Sequence, residues 1–207
     1  MKNKSILDST KDIIREVQLG ERFIMVDYKN TKNERDIIIS NQFILEYIIN
    51  FIVTRIKMFM YLAIDKDIPN KSNLKLHFRR NINDSNTAFI YSIHLKKGIS
   101  TGVLSNSRVT TIKKLIDENI AINDSKVPSY IFSILGKNNH TLEKRGYNEV
   151  AIDIFKLMKS QIAILMDKVF HKSSVAGSSV DFLDFTNKYN IKTSSIEIPV
   201  NCIEQNF

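Results

Sequence analysis

The chain of 207 residues holds a single cysteine, Cys202, and no tryptophan. One thiol makes neither an intrachain disulfide nor a cysteine-based metal site, and a reduced, cytoplasmic setting is the expectation. The four histidines, at 77, 94, 140 and 171, are dispersed, with no HExxH and no Cys/His ligand spacing. P-loop, GxSxG and GxGxxG sequences are missing as well. These gaps point away from a zinc hydrolase, a P-loop phosphotransferase, a serine hydrolase and a dinucleotide enzyme. The expectation is a non-catalytic protein with no metal site and no cofactor that can be named. No apolar leader follows the first residues, MKNKSILDSTKD, so secretion is not expected.

No basic run exceeds two residues, although the net charge is +8. Of the 30 basic residues 22 are lysine, in a chain crowded with Ile and Asn, and that bias fits an A/T-rich coding sequence as well as a polyanionic partner. A basic, nucleic-acid-associated regulator is therefore the alternative reading, not the favoured one. An apolar fraction of 43% beside 25% charged residues describes a globular chain that can bury a sizeable core.

What the chain does have is an apolar stretch over 41–65, without Gly or Pro. Wound as a helix, it gathers Glu46, Asn50, Thr54, Lys57, Tyr61 and Asp65 into one narrow polar stripe. Membrane insertion is disfavoured, because a central Arg or Lys costs roughly 2.5–3.5 kcal/mol and Arg55 and Lys57 both lie inside the stretch. Arg55 falls opposite the stripe and is the candidate interface residue, together with Phe59 and Leu62. The competing reading is that it reaches out to water from the edge of a helix contact.

Before that stretch, 8–19 predicts a short amphipathic helix capped by Asp8, Ser9 or Thr10 and ended by Gly20. After it the period changes to 2: 74–80 and 87–95 alternate and predict an antiparallel hairpin. A hydroxyl-rich loop leads into a helix over 108–120, then a strand over 127–136 and a second long helix over 147–170. The polar hairpin face carries Lys75, His77, Arg79, Ser92 and His94. With Ser105, Ser107 and Arg108 from the loop and helix start, these are the candidate ligand residues, a small-anion site built from cations and backbone N–H groups. Solvated strand residues are the plainer reading of the same pattern.

The strand over 127–136 runs through a polar loop into a helix carrying Gln161-Ile162-Ala163-Ile164-Leu165. With the order helix, hairpin, short helix, strand, helix, this resembles the GAF family of sensory domains over about 40–170; a PAS-like arrangement fits the same order. The resemblance implies an α+β fold, an antiparallel sheet with the long N- and C-terminal helices packed on one face and a ligand on the other. It also implies a homodimer formed through those helices. The expected organisation is 1–39 as an N-terminal helix and connector, 40–170 as the GAF-like domain, and 171–207 as a tail. The expected function is sensing or regulation by recognition of a small anionic ligand such as a nucleotide, acting through dimerisation or a protein partner, with no membrane partner.

Overall fold

The computed structural model describes residues 8–28, 35–56, 60–65, 88–90, 94–95, 104–116, 125–126, 131–137, 140–157, 163–168 and 179–204. Helix α1, Thr10–Gln18, forms where the pattern predicts it. Ser9 caps it: its hydroxyl accepts the Asp12 N–H and donates to the Asp12 carboxylate at 2.6 Å. That bond holds the Asp12 carboxyl below its ordinary range. Gly20 follows at φ +83°, a backbone state open to glycine, with the Phe43 ring where a side chain would stand. Ser9→Ala should lower stability by about 1 kcal/mol, read as a fall in the urea midpoint.

Strands β1 (Phe23–Val26), β2 (Arg35–Ser40) and β3 (Met60–Ile64) are covered on both sides. They join β4 (Ala88–Ile90), β7 (Phe132–Leu135), β8 (Ala163–Lys168) and β9 (Lys192–Ser195) in a mixed seven-stranded sheet, order β4-β7-β3-β8-β2-β1-β9. β1 runs parallel to β9 and β3 parallel to β7; the other pairs are antiparallel. A separate short ladder pairs β5 (His94–Leu95) with β6 (Ser125–Lys126). Strands from both ends of the chain thus share one sheet with strands from its middle.

Helices cover both faces. Phe23, Met25, Ile38 and Ala63 face one core with α1, α4 (Tyr147–Leu157) and α6 (Glu197–Glu204). Ile39, Met60, Leu62 and Ile64 face the opposite core with α2 (Glu46–Phe51) and α3 (Ser105–Ile116). On that second side Ile24, Val26 and Ile37 pack with Phe182 of α5 (Ser179–Lys188). Arg35 lies over the Phe182 ring at 4.4 Å, and Arg22 over Phe51 at 4.5 Å beside Phe185 and Tyr189. Among the described residues no helix is long and apolar enough to cross a membrane.

This architecture corrects the expected GAF-like fold. The sheet is mixed and covered on both faces, not antiparallel with two long helices on one. The stretch 41–65 is no single helix: a short turn at Asn41–Phe43 and α2 pass into a π turn, Ile52–Ile56, and the chain then enters β3. A strand buried on both faces, such as β3, reads as a near-continuous apolar run, and such a run fits a helical period equally well. The second long helix ends at Leu157, and Ala163, Ile164 and Leu165 lie on β8 in the middle of the sheet. Leu62, expected at a subunit interface, is fully buried inside the chain's own core. The Arg55 side chain and Phe59 lie outside the described residues. β4 pairs with β7 and β5 with β6, while the strand expected over 74–80 lies outside the described residues.

Candidate active site

Parallel strands β1 and β9 end side by side: Val26 pairs with Ser195, and the Ile196 N–H donates to the Val26 carbonyl at 3.1 Å. Beyond those ends, on the α1/α4/α6 side, lies a cavity of about 340 Å³ lined by Asp27, Arg145, Ile196, Glu197, Val200 and Asn201. Crevices at the carboxyl ends of strands are the usual ligand position in sheets wound this way. Two carboxylates, one guanidinium and one carboxamide line it, on a base of Ile and Val. Such a lining suits a small polar ligand bearing an anionic group, which Arg145 would take by paired N–H bonds.

The approach to α4 builds one wall. Gly146 precedes the helix, and its amide donates to the Lys144 carbonyl at 3.0 Å in a tight turn. A methyl group on Gly146 would stand 2.5 Å from Glu149 Oε2, so glycine makes room for a carboxylate folded back over the helix start. Glu149 is buried, and burial raises its carboxyl above the ordinary range against the pull of backbone N–H bonds from Glu149 and Lys137. One turn on, buried Asp153 accepts the Thr141 N–H at 3.0 Å. The two acids hold the segment leading to Arg145 against α4. Tyr147 anchors the lining residue Asp27 from behind: its hydroxyl accepts the Asp27 N–H at 2.9 Å while its ring packs on the α1/α4/α6 core.

Glu149 makes stability depend on pH with a definite sign. Above the ordinary carboxyl value of 4.5 the unfolded chain has lost a proton that the folded chain retains. The stability from burying the neutral acid is therefore complete below that value and drains away as pH rises through the raised folded value. Glu149→Gln should gain on the natural chain as pH climbs from 4.5 to 7.5, measured by urea midpoints at both ends.

The residues expected from sequence are not the ones gathered here. Lys75, His77, Arg79 and Ser92 lie outside the described residues, and His94 is on β5. Ser105, Ser107 and Arg108 open α3 on the opposite face of the sheet. Ser105 donates its hydroxyl to the Asn50 side chain, and buried Ser107 gives its carbonyl to Thr111 at 2.8 Å. Periodicity and motif spacing miss Asp27, Arg145, Tyr147 and Glu197. The one legible signal is Arg145-Gly146 directly before an apolar helix with Glu149 in its first turn.

A family model described as 3,4-dihydroxy-2-butanone 4-phosphate synthase matches residues 11–200, which include every residue lining the cavity except Asn201. The chain belongs to that family. The 3,4-dihydroxy-2-butanone 4-phosphate synthase family replaces the readings of the chain as a GAF-like sensor or a nucleic-acid regulator. The riboflavin biosynthesis protein RibBA of Staphylococcus haemolyticus is 28% identical over 94% of this chain and 49% of its own length. The 3,4-dihydroxy-2-butanone 4-phosphate synthase of Helicobacter pylori is 29% identical over 91% of this chain and 55% of its own. The chain thus spans about half the length of these curated relatives. A synthase structure from Candida albicans superposes with a TM-score of 0.83 at 20% identity, covering 96% of this chain and 99% of that one. A synthase structure with two magnesium ions gives 0.84 at 16%, covering 96% and 98%.

Magnesium takes octahedral oxygen ligands. Among the described residues no three Asp, Glu, His or Cys side chains converge as a metal site. Asp27 and Glu197 bring two carboxylates to the cavity, and Arg145 brings a positive charge to the same walls. The described donor set does not fit a magnesium ion.

Proposed function

We propose that this chain is an enzyme of phosphorylated-sugar chemistry that forms 3,4-dihydroxy-2-butanone 4-phosphate, with the cavity between β1, β9 and α4 as its active site. The observation that carries the reading is the family match over 11–200, which runs unbroken from α1 through both strands of the cavity to α6. The lining supports it: Arg145 receives the phosphate, and Asp27 and Glu197 supply carboxylates for proton transfer. A cytoplasmic location belongs to the same reading.

The test is incubation of the purified chain with a panel of four-, five- and six-carbon sugar phosphates, followed by mass spectrometry and NMR. Accumulation of 3,4-dihydroxy-2-butanone 4-phosphate, reduced at least tenfold in Arg145→Ala, is the expected result. No product from any of them, with no thermal shift on adding the product itself, would overturn the assignment.

We propose further that the chain works as a homodimer. Phe43, Leu45, Tyr47 and Val53 are exposed within one short stretch on and around α2, an apolar concentration that suits a second copy of this surface. Light scattering should give twice the chain mass, and Leu45→Lys with Tyr47→Lys should return it to one.

A further inference from the structure

We propose that the turn 140–146, which carries Arg145 to the cavity, is a pH-operated lip, latched shut by Glu149 while that carboxyl keeps its proton and released when the proton leaves. The latch is built at the start of α4. Glu149 is 3% exposed, and its carboxyl accepts its own backbone N–H and that of Lys137, just beyond β7. Its Oε2, by contrast, is buried and has no hydrogen-bond partner. That oxygen lies so close to Gly146 that a methyl group there would stand 2.5 Å from it, with Lys144 Cε 3.5 Å from the same point. Gly146 directly follows Arg145, so a change at Oε2 acts beside the cation that lines the cavity. One helical turn on, Asp153 takes the Thr141 N–H at 3.0 Å and holds the opening residues of the same segment.

An oxygen without a partner is tolerated in a neutral buried acid and strongly disfavoured in a buried anion. Among the described residues the charges that act on Glu149 are Lys144 of the turn and Lys137 beyond β7, and burial outweighs both. The charges on elements packed against α4 are engaged elsewhere. Asp65 of β3 pairs with Lys156, Arg35 of β2 acts on Tyr28 and Tyr147, and Glu197 of α6 lines the cavity. Once ionised, the Glu149 carboxylate is stabilised by reaching water, and one of its two sides can yield. The helix beneath is fixed by fully buried Val150, Ile154 and Phe155, whereas Leu142, Glu143 and Arg145 of the turn are exposed. The turn therefore lifts, and Arg145 leaves the cavity with it. The lip is closed in acid and opens as pH rises through the folded value of Glu149.

Amide hydrogen exchange of the full chain, resolved by NMR, reads the latch at its own donors, whatever ligand the cavity takes. The protection factors of the Lys137 and Thr141 amides should fall at least about tenfold as pH rises from about 5 to about 8. The amide of Ile154, within α4, should keep its protection over the same range. Glu149→Gln is neutral at every pH and should hold all three amides protected throughout. Protection at Lys137 and Thr141 that stays level or rises with pH in the natural chain would overturn the lip. So would a fall of the same size in Glu149→Gln. Should that variant not fold, the carbon-13 shift of the Glu149 carboxyl in the natural chain decides. Its titration midpoint should coincide with the loss of protection, and a separation of more than about one pH unit would overturn the latch.

Discussion

Phe155→Ala should cost about 3–5 kcal/mol of unfolding free energy, several times the loss expected from removing a helix cap or a single methyl group. Phe155 is fully buried on α4, in the core where α1, β1 and α6 also meet. Truncation removes the burial of a whole ring and leaves a void in a cluster built by separate elements, with Ile13 from α1, Phe23 from β1 and Val200 from α6. Such a void collapses poorly, because each of these residues is held by its own helix or strand. In a chain of this size the loss corresponds to a fall in melting temperature of about 10 °C. Ile152→Val, equally buried in the same helix, removes one methyl group and should cost only about 0.5–1.5 kcal/mol. Equal losses from the two substitutions would show that Phe155 is not the centre of this core. Urea unfolding with an unchanged slope is the measurement.

Lys156→Met should be nearly as damaging, at about 3 kcal/mol. Lys156 Nζ lies 2.7 Å from Asp65 Oδ2, with the aspartate 1% exposed and the lysine about a third exposed. Removing the ammonium leaves a carboxylate inside the protein without its opposite charge, and that penalty exceeds the modest worth of the pair itself. The lysine's contact with water moderates the effect. Asp65→Asn combined with Lys156→Met should recover most of the loss, since a neutral pair of similar size needs no compensation. The double-mutant cycle therefore returns a coupling of several tenths to a few kcal/mol. A coupling near zero would mean that Asp65 is held by its other contacts. The pair joins the last turn of α4 to the end of β3, where Gly136 also donates to the Ile64 carbonyl at 3.0 Å.

Local chemistry was readable where one residue dictates one geometry. Of the three expected caps of α1, Asp8, Ser9 and Thr10, the structure uses Ser9, and Gly20 follows the helix end as expected. Periodicity failed where strands are covered on both sides. Met60, Leu62 and Ile64 face α2 and α3 while Tyr61 and Ala63 face α4, so 60–64 carries no polar alternation to betray a strand. Ile164 and Leu165, read as helical, lie on β8 between β2 and β3 in the sheet. The polar stripe over 41–65 was a coincidence of period. Asp65 owes its place to Lys156, and Tyr61 belongs to the core on the α4 side.

The candidate site was less legible than the fold because its parts lie far apart in sequence. Asp27 ends the first strand, Arg145 and Tyr147 open a helix in the second half, and Glu197 follows the last strand. Nothing local connects them. Only the parallel pairing of β1 with β9 and the N–H bond from Asp27 to Tyr147 bring them to one place.

That pairing also governs when the molecule can be finished. Phe23 finds its hydrogen-bonding neighbour at Lys192, and Asp8 is clasped by Thr193 through N–H bonds of 2.7 and 2.9 Å. During synthesis the open edge of β1 waits, unpaired and apolar, until the residues of β9, about 170 positions later, have left the ribosome. Contacts this distant in sequence form late, and an exposed strand edge invites pairing with other chains meanwhile. The wall of the cavity supplied by Ile196, Glu197 and Val200 arrives together with β9. The nascent chain therefore has no competent site until its sheet is closed, and ligand binding reports on completed folding.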